Sequence, residues 1–133
     1  MPDLAPGKCE PRALDGTRAD NGCVFCKIIA GSLPSDRLYQ DEWVTAFRDI
    51  RPMAATHILI VPNQHLASVN EVEADDEPML GRLFTIARHL AEQEGVHESG
   101  YRLVVNTGPH AGQDVFHLHL HLIGGQRLGR LVG

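Results

Sequence analysis

Long hydrophobic runs are missing from this 133-residue chain. No stretch approaches the roughly 18 apolar residues of a membrane span, and the amino terminus has no apolar signal core. Both absences point to a cytoplasmic protein without a membrane partner. Basic charge is scarce: 12 Lys and Arg against 17 Asp and Glu leave a formal net charge of -5. A grip on nucleic-acid backbone draws its affinity from Lys and Arg set against phosphates. A nucleic-acid polymer is therefore an unsuitable partner, whereas a small phosphorylated ligand is allowed. Part of the acidity is local, in Glu71, Glu73, Asp75, Asp76 and Glu77. Cysteine is limited to three residues, two of them spaced as Cys23-x-x-Cys26. That is too few for a disulfide framework and suits a reducing compartment with a metal or redox pair. Repeats and low-complexity segments are lacking too, and the length suffices for one ordinary core rather than two.

What the chain does have is the row His117-Leu118-His119-Leu120-His121-Leu122. Alternate side chains of a strand point to opposite faces, so as a strand the leucines bury together and the histidines meet in an accessible pocket. As a helix the same residues would form neither an apolar nor a polar stripe. Three clustered imidazoles are poor core material, since each ring nitrogen needs a partner and protonated rings repel. Three roles fit them: a zinc site, an imidazole nucleophile with neighbours that orient it and move protons, or surface histidines on an exposed strand face. The loop before the row, Thr107 to Gln113, contains Gly108 and Gly112. Loop N–H groups near glycine can cradle an anion. Beside three histidines, this favours in-line attack on phosphorus.

The remaining pattern frames that row. Residues 1–20 read as a flexible tail, and residues 21–133 as one domain. A short helix covers Cys23 to Ala30 and closes at Gly31. Strands are predicted over 37–40 and 43–48 around Asp41-Glu42, over 57–61 before Pro62, and over 101–106. Asp49-Ile50-Arg51-Pro52 breaks the pattern. The clearest helix is 78–94, with Leu80, Leu83, Phe84, Ala87, Leu90 and Ala91 at helical spacing, Gly95 as its stop and the acidic cluster at its positive end. Gly124-Gly125 ends the histidine strand. Strands, a long helix and more strands indicate an α+β fold with a largely antiparallel sheet of about five strands, one long helix and one short. His89, His97 and His110 match no motif and read as solvated.

The row His117-Leu-His119-Leu-His121-Leu-Ile closely resembles the signature of the histidine-triad superfamily. The resemblance runs from about Gly22 to Gly125. It takes in Phe25-Cys26-Lys27-Ile28-Ile29, Phe47-Arg48-Asp49-Ile50, Thr56 to Pro62, Val104-Val105-Asn106 and Gly112-Gln113. Gly124-Gly125 after the motif resembles the nucleotide-binding branch, and His121 differs from the glutamine of the transferase branch. The resemblance implies a homodimer whose two sheets join, acting as a purine nucleoside phosphoramidase or related nucleotidyl hydrolase. Hydrolysis of dinucleoside polyphosphates or adenylyl sulfate, and a nucleotide-binding sensor with weak catalysis, are the alternatives. By matching position His119 is the nucleophile, His121 contacts phosphate and assists proton transfer, His57 polarises or relays to His119, and His117 completes the catalytic set. Asp49 accepts from the ribose hydroxyls. Val24, Phe25, Ile28, Phe47, Ile50 and Leu59 sandwich the base, and Asn106, Gly112 and Gln113 hold sugar or phosphate. Without the resemblance, those apolar residues read as core, Asp49 as a turn residue, and Asn106 and Gln113 as loop hydrogen-bonders.

No cofactor is implied for catalysis. Cys23 and Cys26 lie close enough for both sulfurs to reach one ion, and bacterial relatives of this type complete such a pair with histidines. The matching positions are His65 and His117, which implies a structural Cys2His2 zinc site. The chain departs from the branch at Asp114, where serine usually touches phosphate. Its carboxylate either repels phosphate or, protonated, serves as an acid. The carboxyl tail, Gln126 to Gly133, also lacks the tryptophan-proline ending of animal members.

Overall fold

The computed structural model describes residues 22–132. The expected tail at 1–20 lies outside the described residues. Helix α1 (Val24–Ala30) is followed by strands β1 (Arg37–Gln40), β2 (Val44–Arg48) and β3 (Thr56–Pro62), helix α2 (Glu77–Gln93), and strands β4 (Tyr101–Val104) and β5 (Leu120–Gly124). The five strands form one sheet in the order β1-β2-β3-β5-β4, and every pairing is antiparallel.

Local chemistry accounts for the boundaries. The Cys23 sulfur accepts the Cys26 N–H at 3.3 Å, capping α1, and Gly31 closes it at φ 84°. Asp41-Glu42 is an unfavoured hairpin turn, yet the Asp41 carboxylate accepts the N–H groups of Trp43 at 2.7 Å and Val44 at 2.8 Å. That side chain replaces the missing turn preference. Glu73 and Asp76 form a reciprocal capping box just ahead of α2, which gives the acidic cluster a structural use. The buried stripe of α2 is Met79, Leu83, Ile86, Ala87, Leu90 and Ala91, while Phe84 is exposed.

The histidine row departs from expectation. Only its second half joins the sheet, because β5 begins at Leu120, opposite Ile60 of β3. Continuing that register would set Leu118 against Pro62, which has no N–H to give a ladder. Leu118 instead donates its N–H to the Leu66 carbonyl at 2.7 Å. The alternation of side chains survives. Leu118, Leu120 and Leu122 enter the core beneath α2 with Ile58 and Ile60, each contributing about 1.5–3 kcal/mol by burial.

The opposite face carries a second apolar cluster: Phe25, Ile28 and Ile29 of α1 pack with Phe47, Leu59 and Val61. The sheet is therefore covered by α2 on one side and partly by α1 on the other, and β3 is buried along its whole length. Gly125 turns the chain after β5 at φ 87°, where a side chain would bring a Cβ within 2.9 Å of the Ala55 Cβ. Among the described residues no helix is long and apolar enough to cross a membrane.

Candidate active site

Four buried donors gather where α1 meets the sheet. His117 Nδ1 lies 3.4 Å from Cys23 Sγ, 3.6 Å from Cys26 Sγ and 3.2 Å from His65 Nδ1, and Cys26 Sγ lies 3.3 Å from His65 Nδ1. With zinc bonds of roughly 2.0 Å to nitrogen and 2.3 Å to sulfur, tetrahedral edges are about 3.3 Å between nitrogens and about 3.5 Å between nitrogen and sulfur. The spacing fits one tetrahedral ion. His117 also donates its Nε2–H to the Pro62 carbonyl at 2.8 Å, which leaves Nδ1 as the ring nitrogen that could ligate an ion. Both nitrogens of this wholly buried ring are thus occupied. Its approach to the rest of the histidine row is through its backbone: the His117 carbonyl accepts the Nδ1–H of His119 at 2.7 Å.

That bond fixes the proton of His119 on Nδ1 and leaves the Nε2 lone pair available. The His119 ring stands edge-on to Phe25 at 5.1 Å and packs against His121 at 4.9 Å between centroids. The open pocket expected for the row is a narrower feature. His57, His117 and His119 are at most 5% exposed, and His121 alone is half-buried. Phe25, carried over the row by α1, accounts for part of the cover.

His57 makes its hydrogen bond to a different partner from the one expected. Its Nε2 lies 2.9 Å from His121 Nδ1, and the direct partner is His121 rather than His119. The protons follow from one fixed donor. Met53 N–H donates to His57 Nδ1 at 3.0 Å, so a neutral His57 carries its hydrogen on Nε2 and gives it to His121 Nδ1. His121 in turn carries its own hydrogen on Nε2. The Asp49 carboxylate also faces His57 Nε2, at 3.4 Å. Asp49, His57 and His121 have donor atoms close enough for a cation, but the Met53 amide opposes it. A metal on His57 Nε2 would force the ring's hydrogen onto Nδ1, against another donor. Burial pushes His57 below the usual histidine range against the pull of Asp49. Burial, with the neighbouring His119 and His57, lowers His121 to about 4.

The other expected residues divide. Phe25, Ile28, Phe47 and Leu59 are buried beside the histidines, whereas Val24 is 37% and Ile50 88% exposed. Gln113 is buried and spends its side chain on the loop: Nε2 donates to the Ala67 and Val115 carbonyls, and Oε1 accepts the Gly108 N–H. Gly112 adopts φ 87° after the turn Pro109–Ala111. Asn106 is half-buried, and exposed Asp114 lies near enough for its charge to favour protonation of His121. Two contributors lacked a residue-type signal, the Met53 amide and the Pro62 carbonyl, because backbone groups belong to every residue.

Fold and site together define an α+β protein with paired imidazoles of opposite hydrogen-bonding character beside a buried cluster of cysteine sulfurs and imidazoles. The HIT domain model matches residues 30–128, and the chain belongs to that family. It is 55% identical over 109 residues to the purine nucleoside phosphoramidase of Escherichia coli K12, a match covering 82% of this chain and 92% of the relative. Among solved structures it resembles a HIT family hydrolase from Legionella pneumophila, at 46% identity and TM-score 0.81, covering 84% and 99% of the two chains. A HIT family hydrolase from Clostridium thermocellum superposes with TM-score 0.80 at 44% identity, covering 90% and 99%.

The depressed affinity of His57 and His121 for protons has a defined consequence for stability. The folded state holds both rings neutral, while the unfolded chain binds protons below its pKa of about 6.5. Stability is therefore full above that value and falls as pH drops toward the folded value, about 4 for His121. Urea midpoints should decline from pH 7 to pH 5, and His121→Gln should make the decline shallower. Equal slopes for the two proteins would contradict this.

Proposed function

We propose that residues 21–133 act as one unit, a purine nucleoside phosphoramidase that cleaves the P–N bond of nucleoside 5′-phosphoramidates through a nucleotidyl-histidine intermediate. The observation that carries this reading is the His119 Nδ1–H bond to the His117 carbonyl, which directs the Nε2 position of the ring away from that bond and toward an incoming phosphorus. In the first half of the reaction, that nitrogen attacks phosphorus and the P–N bond breaks. The departing nitrogen takes a proton from His121 Nε2–H, and the negative charge left on the His121 ring is offset by the positive charge that His119 gains on bonding to phosphorus through Nε2 with its Nδ1–H retained. In the second half, water attacks phosphorus, releases the nucleoside monophosphate and His119, and returns a proton to His121. Loop N–H groups around Gly112, with Asn106, offer donors to phosphate or sugar, and Asp49 accepts from the ribose. Phe25, Ile28, Phe47 and Leu59, with the more exposed Val24 and Ile50, supply apolar surface for the purine. The similarity to the Escherichia coli enzyme supports the substrate class.

The Cys23, Cys26, His65 and His117 cluster would hold structural zinc, pinning α1 to the sheet. We also propose a homodimer formed along β4, one of the two edge strands, with the adjoining cleft of about 610 Å³ between Tyr101-Arg102 and Gly125–Arg130 as part of its surface. The chain would work in the cytoplasm, without a membrane or nucleic-acid partner.

Turnover of a fluorogenic adenosine phosphoramidate tests the activity. The native chain should form a trappable adduct on His119, and His119→Ala should lose both adduct and turnover by a thousandfold or more. Full activity in His119→Ala would end the proposal. In the same assay Asp114→Ser should change the rate or the leaving-group preference; identical behaviour would show that Asp114 has no part in either. Elemental analysis should find about one zinc per chain, with Cys23→Ser losing the metal and melting at a lower temperature. A native protein that takes up no zinc would refute the metal assignment.

A further inference from the structure

His57 has one proton to offer and two acceptors facing it. The Met53 amide occupies Nδ1, which leaves the hydrogen on Nε2. From there His121 Nδ1 is 2.9 Å away and Asp49 Oδ2 3.4 Å away. The other Asp49 oxygen accepts the Arg51 N–H at 2.9 Å. Asp49, Arg51 and Met53 thus belong to one short loop whose backbone and carboxylate control both sides of the His57 ring. The carboxylate is partly exposed, at 20% of its side-chain surface, and can be reached by a ligand without unfolding the loop.

We infer that Asp49 couples recognition of the sugar to the hydrogen-bond relay, so that ribose hydroxyls act on the rate of P–N cleavage as well as on binding. The inference rests on the reading above, in which Asp49 meets the ribose. Without sugar, the carboxylate competes with His121 for the His57 Nε2–H. A ribose hydroxyl donating to Asp49 satisfies part of its charge and weakens that competition. The His57 hydrogen then goes more fully to His121 Nδ1, holding the His121 hydrogen on Nε2, toward the departing nitrogen. His57 is a positioning residue in this scheme, and the Met53 amide sets its tautomer. A carboxylate that merely bound sugar would change the substrate concentration needed for half-saturation and leave the saturated rate alone.

The test compares adenosine 5′-phosphoramidate with its 2′,3′-dideoxy counterpart on the native chain, in single turnover at saturation. The dideoxy substrate should form the His119 adduct at least tenfold more slowly, and Asp49→Asn, whose neutral amide competes less for the His57 hydrogen, should bring the dideoxy substrate close to the saturated rate of the ribose substrate. Nitrogen NMR of the native protein supplies a readout independent of turnover. His57 and His121 should both carry hydrogen on Nε2, and adenosine monophosphate should shift the His121 Nδ1 signal more than its dideoxy analogue does. Equal saturated rates for the two substrates, or a hydrogen found on His57 Nδ1, would overturn the coupling. Absence of an adduct with either substrate would instead sink the phosphoramidase reading beneath it.

Discussion

A neutral imidazole has one N–H, and in this protein backbone groups decide where it sits. The His117 carbonyl draws the hydrogen of His119 to Nδ1, while the Met53 amide drives the hydrogen of His57 to Nε2. Two rings of the same residue type, His119 and His121, therefore end in opposite states: one presents a lone pair and the other an N–H. Burial reinforces the arrangement by disfavouring the imidazolium form of His57 and His121. A polar backbone is suited to this task because its groups are fixed by the fold and do not titrate.

Pro62 gives the backbone that freedom. Because it lacks an amide hydrogen, β5 cannot run its full expected length, and the chain between His117 and Leu120 leaves the ladder. Its carbonyl remains available and takes the His117 Nε2–H. Had the strand continued, the His117 carbonyl would have been exposed to the demands of a sheet partner. Instead it accepts from the side chain two residues later. The leucines keep their alternation because Leu118 finds a substitute partner in Leu66, so the core is built without the extra rung.

The sequence disclosed side-chain patterns well and backbone roles poorly. Period-two alternation at 117–122 separated leucine from histidine, and helical spacing located α2, although Phe84 turned out exposed and Met79 and Ile86 buried. Helix periodicity tolerates such a rotation because neighbouring stripes overlap. The chain's Cys-x-x-Cys pair met both matching histidines in one buried cluster. By contrast, His57 reaches His121 instead of His119, and Gln113 is consumed by its own loop. Neither fact is written in residue type: the first depends on antiparallel register, the second on how a seven-residue loop folds back. The burial of the histidine row was also hidden, since it depends on where α1 lays Phe25.

His117 joins the two polar systems that the fold contains. Its ring belongs to the cysteine and histidine cluster, and its carbonyl belongs to His119. A rotation of the ring large enough to break its contacts with Cys23, Cys26 and His65 would strain the peptide that holds His119, because ring and carbonyl share one Cα. The cluster also contains both ends of the first turn of α1, through Cys23 and Cys26, and that helix places Phe25 against His117 and His119. Anchoring these donors together therefore constrains the nucleophile candidate twice, once through a hydrogen bond and once through aromatic packing. Four buried histidines, His57, His65, His117 and His119, cost desolvation wherever they are placed; here that cost is met by cysteine sulfurs and backbone carbonyls on one side and an amide on the other.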